Sequence, residues 1–233
     1  MSLKTKRLHD KIYLKENKYN NPKESFKLLI KILKKRYKNK NFKLLDVGCA
    51  NGELLYNLKK NFKKAELTGI DINKLLLKKA KKNCGKNINF YKKNISKKNL
   101  KIGKFDVVIA SGVVSIFDNP KLILRNLLIN LKPKGEIYIF NSLNEHPFNI
   151  YIKYEDLFKN KNILQSGQNI FSIKFYKDFF KNKRIEMIPF FIKKRIKKNR
   201  KDLIRSWTVK SKGKNIFTNA LGFLQNQYWI RIY

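Results

Sequence analysis

The 233-residue sequence predicts an α/β domain with a doubly wound, mostly parallel seven-stranded sheet and an antiparallel C-terminal strand pair. Three observations carry that expectation. Short apolar strands alternate with amphipathic helices from Phe42 onward, a glycine-containing loop joins the first of these strands to the first helix, and the chain closes on the strand-like run Tyr228-Trp-Ile-Arg-Ile-Tyr233.

The elements follow in order within one domain spanning residues 1–233. Residues 1–41 read as a helical lead or cap: the first 22 are polar, then Pro22 sits where a helix begins and Phe26, Leu29, Ile30 and Leu33 recur at helical spacing. Residues 42–141 read as the core. Strands are expected at Lys43–Val47, Glu66–Asp71, Ile88–Lys92, Phe105–Ala110 and Glu136–Phe140, with helices at about Glu53–Phe62, Lys74–Asn83 and Pro120–Leu131. Strands separated by helices of that length make βαβ units and a parallel sheet. Pro133 and Gly135 are expected to stop the last helix before the fifth strand. Residues 142–233 read as substrate-side insertions and the last two strands. A short helix falls at about Lys174–Lys181, a strand at Ile185–Ile192 and a basic stretch at Lys193–Arg205, with a connection to the final strand long enough to form a lid.

Composition narrows the class. Hydrophobic residues make up 42% of the chain, and no apolar run approaches the roughly 20 residues of a membrane span. The basic opening Met1–Asp10 leads into no apolar stretch, so no secretory signal is expected. Two cysteines, Cys49 and Cys84, offer neither a disulfide framework nor a metal spacing, which points to the cytoplasm and to no bound metal. The charge is extreme: 55 Lys and Arg against 16 Asp and Glu give +39. Such a balance suits a polyanion, either nucleic acid or an anionic membrane face. It also suits a biased composition, since the bases are mostly Lys and spread along the chain, whereas planar phosphate recognition favours Arg.

The informative run is Leu44-Leu-Asp-Val-Gly-Cys-Ala-Asn-Gly52. A strand ending in Asp46 enters a tight loop with Gly48 and Gly52, where glycine allows positive φ and a ligand can lie against bare backbone. The following helix offers unpaired N–H groups. The next strand ends in a second acid, Asp71, at the spacing that lets a carboxylate hold a ribose diol. A dinucleotide loop crowds its glycines as G-x-G-x-x-G. Here the run is G-x-x-x-G with an acid two residues ahead, which repels a pyrophosphate and attracts a cation. The loop therefore favours S-adenosyl-L-methionine (SAM) over a nicotinamide dinucleotide.

The same residues resemble a known family. Asp46-Val-Gly-Cys-Ala-Asn-Gly52 is similar to motif I of the class I SAM-dependent methyltransferases, with Ala50 in place of the middle glycine. Thr68-Gly-Ile-Asp71 resembles motif II, Ile88–Ile95 motif III with Asn94 where an acid is usual, Phe105–Val114 motif IV, and Leu131-Lys-Pro-Lys-Gly-Glu-Ile137 the step into strand five. The resemblance covers about residues 42–141. It implies a Rossmann-like methyltransferase fold, SAM as cofactor, ribose contact at Asp71 and adenine contact at Asn94. It also places Asp46, Gly48, Cys49, Ala50, Asn51, Gly52, Ile72, Ile95, Ala110 and Ser111 around the cofactor.

Methyl transfer is an in-line displacement that alignment alone accelerates, and a base is needed only where the acceptor must lose a proton. His146 and Glu145, just past strand five on the carboxyl edge of the sheet, are the candidate bases; His9 reads as a surface residue. Tyr13, Tyr19, Tyr151, Tyr154, Phe171, Trp207 and Phe217 are candidates for a substrate pocket. Ala110-Ser-Gly-Val113 stands where nucleobase amino-methylating enzymes carry D/N/S-P-P-Y/F. The sequence thus predicts methyl transfer to an O or N atom of a small molecule or glycan precursor. The alternatives are an RNA methyltransferase and a non-catalytic SAM-binding module.

Overall fold

Adjacent residues Leu44 and Leu45, Val107 and Val108, and Ile109 and Ala110 are all fully buried, so both faces of these strands meet the interior. That is the signature of a parallel sheet covered on two sides. The computed structural model describes residues 10–155, 157, 165–200, 202–211 and 213–233; His9 lies outside them.

In chain order the elements are α1 (Asp10–Lys15), α2 (Glu24–Tyr37), β1 (Lys43–Val47), α3 (Glu53–Asn61), β2 (Glu66–Asp71), α4 (Lys74–Cys84), β3 (Ile88–Lys92), β4 (Phe105–Ser111), a 3-10 turn (Val114–Ile116), α5 (Pro120–Ile129) and β5 (Leu131–Asn144). Then come β6 (Lys153–Tyr154), β7 (Gln165–Ser166), β8 (Phe171–Ser172), α6 (Ile173–Phe179), β9 (Ile185–Phe190), β10 (Trp207–Ser211), β11 (Lys214–Thr218) and β12 (Gln227–Ile232). The main sheet runs β3-β2-β1-β4-β5-β12-β9, with β8 added beside the end of β5. β1 to β5 are parallel, and β12 inserts antiparallel to both β5 and β9. The expected seven-stranded sheet and its C-terminal antiparallel pair are both present.

One face of the sheet packs Leu44, Leu67, Val107 and Tyr138 against α2, α3 and α4. The other packs Leu45, Val108, Ile137 and Ile230 against α5 and α6. The indole of Trp229 on β12 donates to the carbonyl of Ser25 at 3.0 Å, which pins the start of α2 over the sheet. Strand order reverses between β1 and β4, and ligands of open α/β sheets bind in the crevice at that point.

Several boundaries differ from the expectation. α5 stops at Ile129, not Leu131, and β5 begins at Leu131 and runs through Pro133 and Gly135 to Asn144. The backbone accommodates this by a positive φ of 62° at Lys134 and a register shift between Phe105 and Val107 on the neighbouring strand. β9 ends at Phe190, two residues early, and the β10–β11 hairpin lies within the long connection to the final strand, where no strand was expected.

Candidate functional site

The crevice at the carboxyl ends of β1 and β4 holds a cavity of about 210 Å³. Its floor is the loop after β1. The amides of Gly48 and Cys49 both donate to the carbonyl of Ile70, at 2.8 and 3.0 Å, which folds the loop back across β2. A Cβ on Gly48 would lie 2.6 Å from Val113 Cγ2, and its φ is +70°, so only glycine fits. Gly52, at φ 80°, is the residue preceding α3. Ala50 also has a positive φ, 49°, and its amide donates to Asp71 Oδ2 at 3.1 Å.

Asp46 lines the cavity at 3% exposure, and its carboxylate accepts no hydrogen bond from any described residue. Burial pushes its pKa well above the ordinary carboxylate range, and the nearby Asp71 charge pushes it the same way. A buried carboxylate without partners, open to a cavity, is a site for a cation. Asp71 is oriented differently, its Oδ1 accepting from the Asn73 amide at 2.8 Å. Cys49 is buried, and desolvation together with the Asp46 and Asp71 charges holds its thiol neutral, so it packs rather than reacts.

A second, narrow pocket of about 10 Å³ continues from Gly48 on the far side of the loop, lined by Asp71, Ile72, Asn94, Ile95 and Val113. Its wall is the irregular segment after β3, which two fully buried asparagines on and just after α5 hold in place. Asn126 Nδ2 donates to the Ile95 and Lys97 carbonyls at 2.6 and 2.8 Å, and its Oδ1 accepts from the Leu100 amide at 3.1 Å. Asn130 Oδ1 accepts from Ile102 at 2.6 Å, and its Nδ2 donates to the Leu100 carbonyl at 2.8 Å. Asn94 spends its Oδ1 on the Ser96 amide and hydroxyl, at 3.0 and 2.7 Å. Its amide nitrogen is therefore the group available to a ligand, a donor where an acid would accept.

The roof comes from the lead segment. Tyr19 Oη donates to the Asn51 carbonyl at 2.5 Å, and Asn51 Nδ2 donates to the Tyr13 carbonyl at 3.1 Å. Lys79 on α4 donates to the carbonyls of Leu14 at 2.8 Å, Tyr13 at 3.2 Å and Glu16, closing the end of α1. The Lys18 amide donates to Glu53 Oε1 at 2.7 Å. Lys23 lines the cavity mouth, its Nζ 4.8 Å from the Tyr13 ring centre and 5.5 Å from that of Phe26.

Asp46, Gly48, Cys49, Ala50, Asn51 and Ser111 line the first cavity; Asp71, Ile72, Asn94 and Ile95 line the second; Gly52 starts the helix between them. Ala110 faces neither cavity and is fully buried in the core. His146 and Glu145 are not brought to the crevice. Both are exposed: the His146 amide closes a turn onto Asn144 Oδ1 at 3.1 Å, and Glu145 accepts from Tyr228 Oη at 2.7 Å and Asn226 Nδ2 at 3.2 Å. The four extra residues of β5 carry them past the cavity rim. Of the aromatic candidates, Tyr13 reaches the cavity and Tyr19 braces the loop. Phe171 and Phe217 are buried elsewhere, Tyr151 packs its exposed ring on Phe171, Tyr154 lies in the β6–β7 pair, and Trp207 lies under Lys198. Lys23, Ser25, Phe26 and Phe140 line the cavity without a local motif to announce them; Pro22 before a helix was the nearest signal.

The two-compartment crevice defines a protein of the class I SAM-dependent methyltransferases. SAM is the cofactor. The chain belongs to the methyltransferase-domain family, whose model matches residues 38–206. It is similar to malonyl-[acyl-carrier protein] O-methyltransferase of Bacillus anthracis, 28% identical over 150 residues, covering 62% of this chain and 55% of that protein. The chain thus spans about half the length of the curated relatives it matches. Among solved structures, the YcgJ protein from Bacillus subtilis superposes with a TM-score of 0.58 at 13% identity over 89% of this chain and 97% of that one. Coclaurine N-methyltransferase gives 0.59 at 14% identity over 72% and 52%. These two likenesses show the fold. Among the described residues no helix is long and apolar enough to cross a membrane, and no cluster of His, Cys, Asp and Glu could hold a metal.

Proposed function

We propose that the chain transfers the methyl group of SAM to a carboxylate oxygen of a small acceptor. The observation that carries this reading is the make-up of the cavity mouth. Beyond the cofactor loop its lining carries Lys23 with Ser25 and Ser111, and no histidine among the described residues. Its two carboxylates are occupied differently: Asp46 sits at the cofactor end, and Glu53 accepts from Lys18 N–H and Asn51 Nδ2. A carboxylate acceptor is already ionised at neutral pH and needs no base, while a cation at the mouth attracts and aligns it. SAM supplies the methyl group on a sulfonium. Asp46 holds the cationic end of the cofactor, Asp71 its ribose, the Asn94 amide its base, and Lys23 the acceptor's charge. The similarity to malonyl-[acyl-carrier protein] O-methyltransferases supports an oxygen acceptor of this kind.

The test is labelling from methyl-labelled SAM with malonyl-pantetheine thioester and, separately, with total RNA. Label that alkali releases as methanol from the thioester product supports the reading. Label confined to ribonuclease-sensitive material overturns it in favour of RNA methylation, the reading that the net charge of +39 favours. Binding of S-adenosylhomocysteine with no transfer to any acceptor would leave a SAM-binding module.

A further inference from the structure

We propose that residues 191–205, beside the mouth of the cavity, form the docking surface for an acidic protein domain that delivers the acceptor on a flexible arm. The inference rests on the carboxylate-acceptor reading above. Lys193–Arg205 carries eight basic residues against one acid, Asp202. Among its described residues the stretch has no helix or strand, yet its backbone is fastened. Asn215 Nδ2 donates to the Lys193 carbonyl at 3.0 Å, and Ile196 exchanges hydrogen bonds with Thr208, its amide to Thr208 Oγ1 at 2.9 Å and its carbonyl from the Thr208 amide at 3.1 Å. The Ala220 amide donates to the Leu203 carbonyl at 2.9 Å, and Asn219 Nδ2 to the Ile204 carbonyl at 3.1 Å. On this fixed frame Lys193, Lys194, Arg195, Lys197, Lys198 and Arg200 are exposed, and none forms an ion pair with a described residue. Phe191, 65% exposed, adds an apolar centre at the edge of the charges.

The surface is continuous with the site. Lys193 and Lys194 lie close enough to the start of α2 to act on the Glu24 carboxylate, and Arg205 pairs with Glu16. Glu16 in turn lies 4.0 Å from the Nζ of Lys23, which lines the cavity. A cavity of about 210 Å³ accepts the cationic end of the cofactor and a small acyl group, so a macromolecule held on this face reaches it by a slim arm. An acidic domain meets the unpaired cations with complementary charge, which steers encounter and fixes orientation. RNA meets the same charges but offers no carboxylate to the cavity.

The test compares two acceptors: malonyl-loaded acyl-carrier protein and malonyl-pantetheine thioester. The triple variant K193E/K194E/K197E, with K193Q/K194Q/K197Q as the milder form, is assayed against the parent after thermal melts confirm folding. A rise in KM of about tenfold for the carrier-borne acceptor, with KM for the thioester and SAM affinity unchanged, is expected, and so is a steep salt dependence of the parent on the carrier alone. Equal KM changes for both acceptors, or no change for either, overturn the docking surface and leave the carboxylate reading standing. Failure to methylate either acceptor overturns that reading. Titration of the carrier protein into parent and variant then decides the surface on its own: binding weakened about tenfold in the variant supports it, and absent or unchanged binding overturns it. Binding of tRNA at physiological salt in place of the carrier also overturns it.

Discussion

The Asp71 carboxylate accepts the amide of Ala50 at 3.1 Å, and so a residue at the end of β2 fixes the tightest point of the loop after β1. Ala50 sits there at φ 49°, a conformation that costs an alanine about 1–2 kcal/mol. Ala50→Gly removes that cost while adding about 0.4–1 kcal/mol of unfolded-state freedom. The expected outcome is a melting temperature unchanged or raised by a few degrees, with SAM affinity retained. Ala50→Val is expected to lower both, because a β-branched residue is poorly tolerated at positive φ.

Asp46 carries a pH signature. Burial, reinforced by Asp71, raises its folded pKa above the unfolded value of about 3.9. A carboxyl raised on folding favours the protonated native state, so the ligand-free protein loses stability as pH climbs from about 4 through the raised pKa. Asp46→Asn abolishes that loss, and the ligand-free variant is expected to melt higher than the parent at neutral pH. A cation binds only the ionised form. SAM affinity in the parent is therefore expected to increase with pH across the same span. The Asn variant is expected to bind SAM at least about tenfold more weakly at pH 7 with a flat profile, the size of a lost charge-assisted contact. Calorimetric titration across pH, paired with melts without ligand, checks both signs.

The strands β1, β2 and β3 lie where the periodicity placed them, because each is a short apolar run cut off by an acid, a glycine loop or a lysine. The end of α5 was not legible. Leu131 continues the helical pattern, and only pairing with Phe105 on β4 claims it for the sheet. The same extension explains His146 and Glu145. Four more residues of strand after Phe140 add about 13 Å at 3.3 Å each, so nearness in sequence to the carboxyl edge did not become nearness to the crevice. The cofactor loop was readable because its chemistry is local: Asp46, Gly48 and Gly52 act within seven residues. The roof was not, because Tyr19 meets Asn51 across 32 positions and Lys79 meets Tyr13 across 66. The β10–β11 hairpin eluded the pattern because Trp207–Ser211 buries only Thr208, with no apolar alternation to mark a face.

Asn126 and Asn130 are fully buried amides whose role is also long-range. Between them they satisfy backbone groups of Ile95, Lys97, Leu100, Ile102 and Gly103. Each orphaned buried group costs about 1–3 kcal/mol. Asn130→Ala is expected to destabilise the fold by at least about 2 kcal/mol in urea titration. Asn126→Ala also releases the carbonyl of Ile95, which lines the narrow pocket, so its SAM affinity is expected to fall more than its stability explains. Equal affinity in folded Asn126→Ala and parent would sever the link between α5 and the cofactor.

Glu16 joins the lead segment to the basic C-terminal stretch. Burial on its own would raise its pKa, but Lys23, Arg205 and Lys18 together outweigh it, and the carboxyl titrates below its ordinary value. For an acid lowered on folding, the stabilisation is complete above the unfolded pKa of about 4.3 and disappears as pH falls through the lowered one. Glu16→Gln removes it at all pH values. At pH 7 the variant is expected to show faster hydrogen exchange over residues 13–23 and a several-fold weaker hold on SAM, because the roof over Asn51 depends on Tyr13 and Tyr19 staying docked. As the pH is lowered past the titration of Glu16, parent and variant are expected to converge. Exchange rates already equal at pH 7 would assign the lead segment's anchorage to Lys79 and Tyr19 alone, with the Glu16–Arg205 pair a surface contact of little consequence.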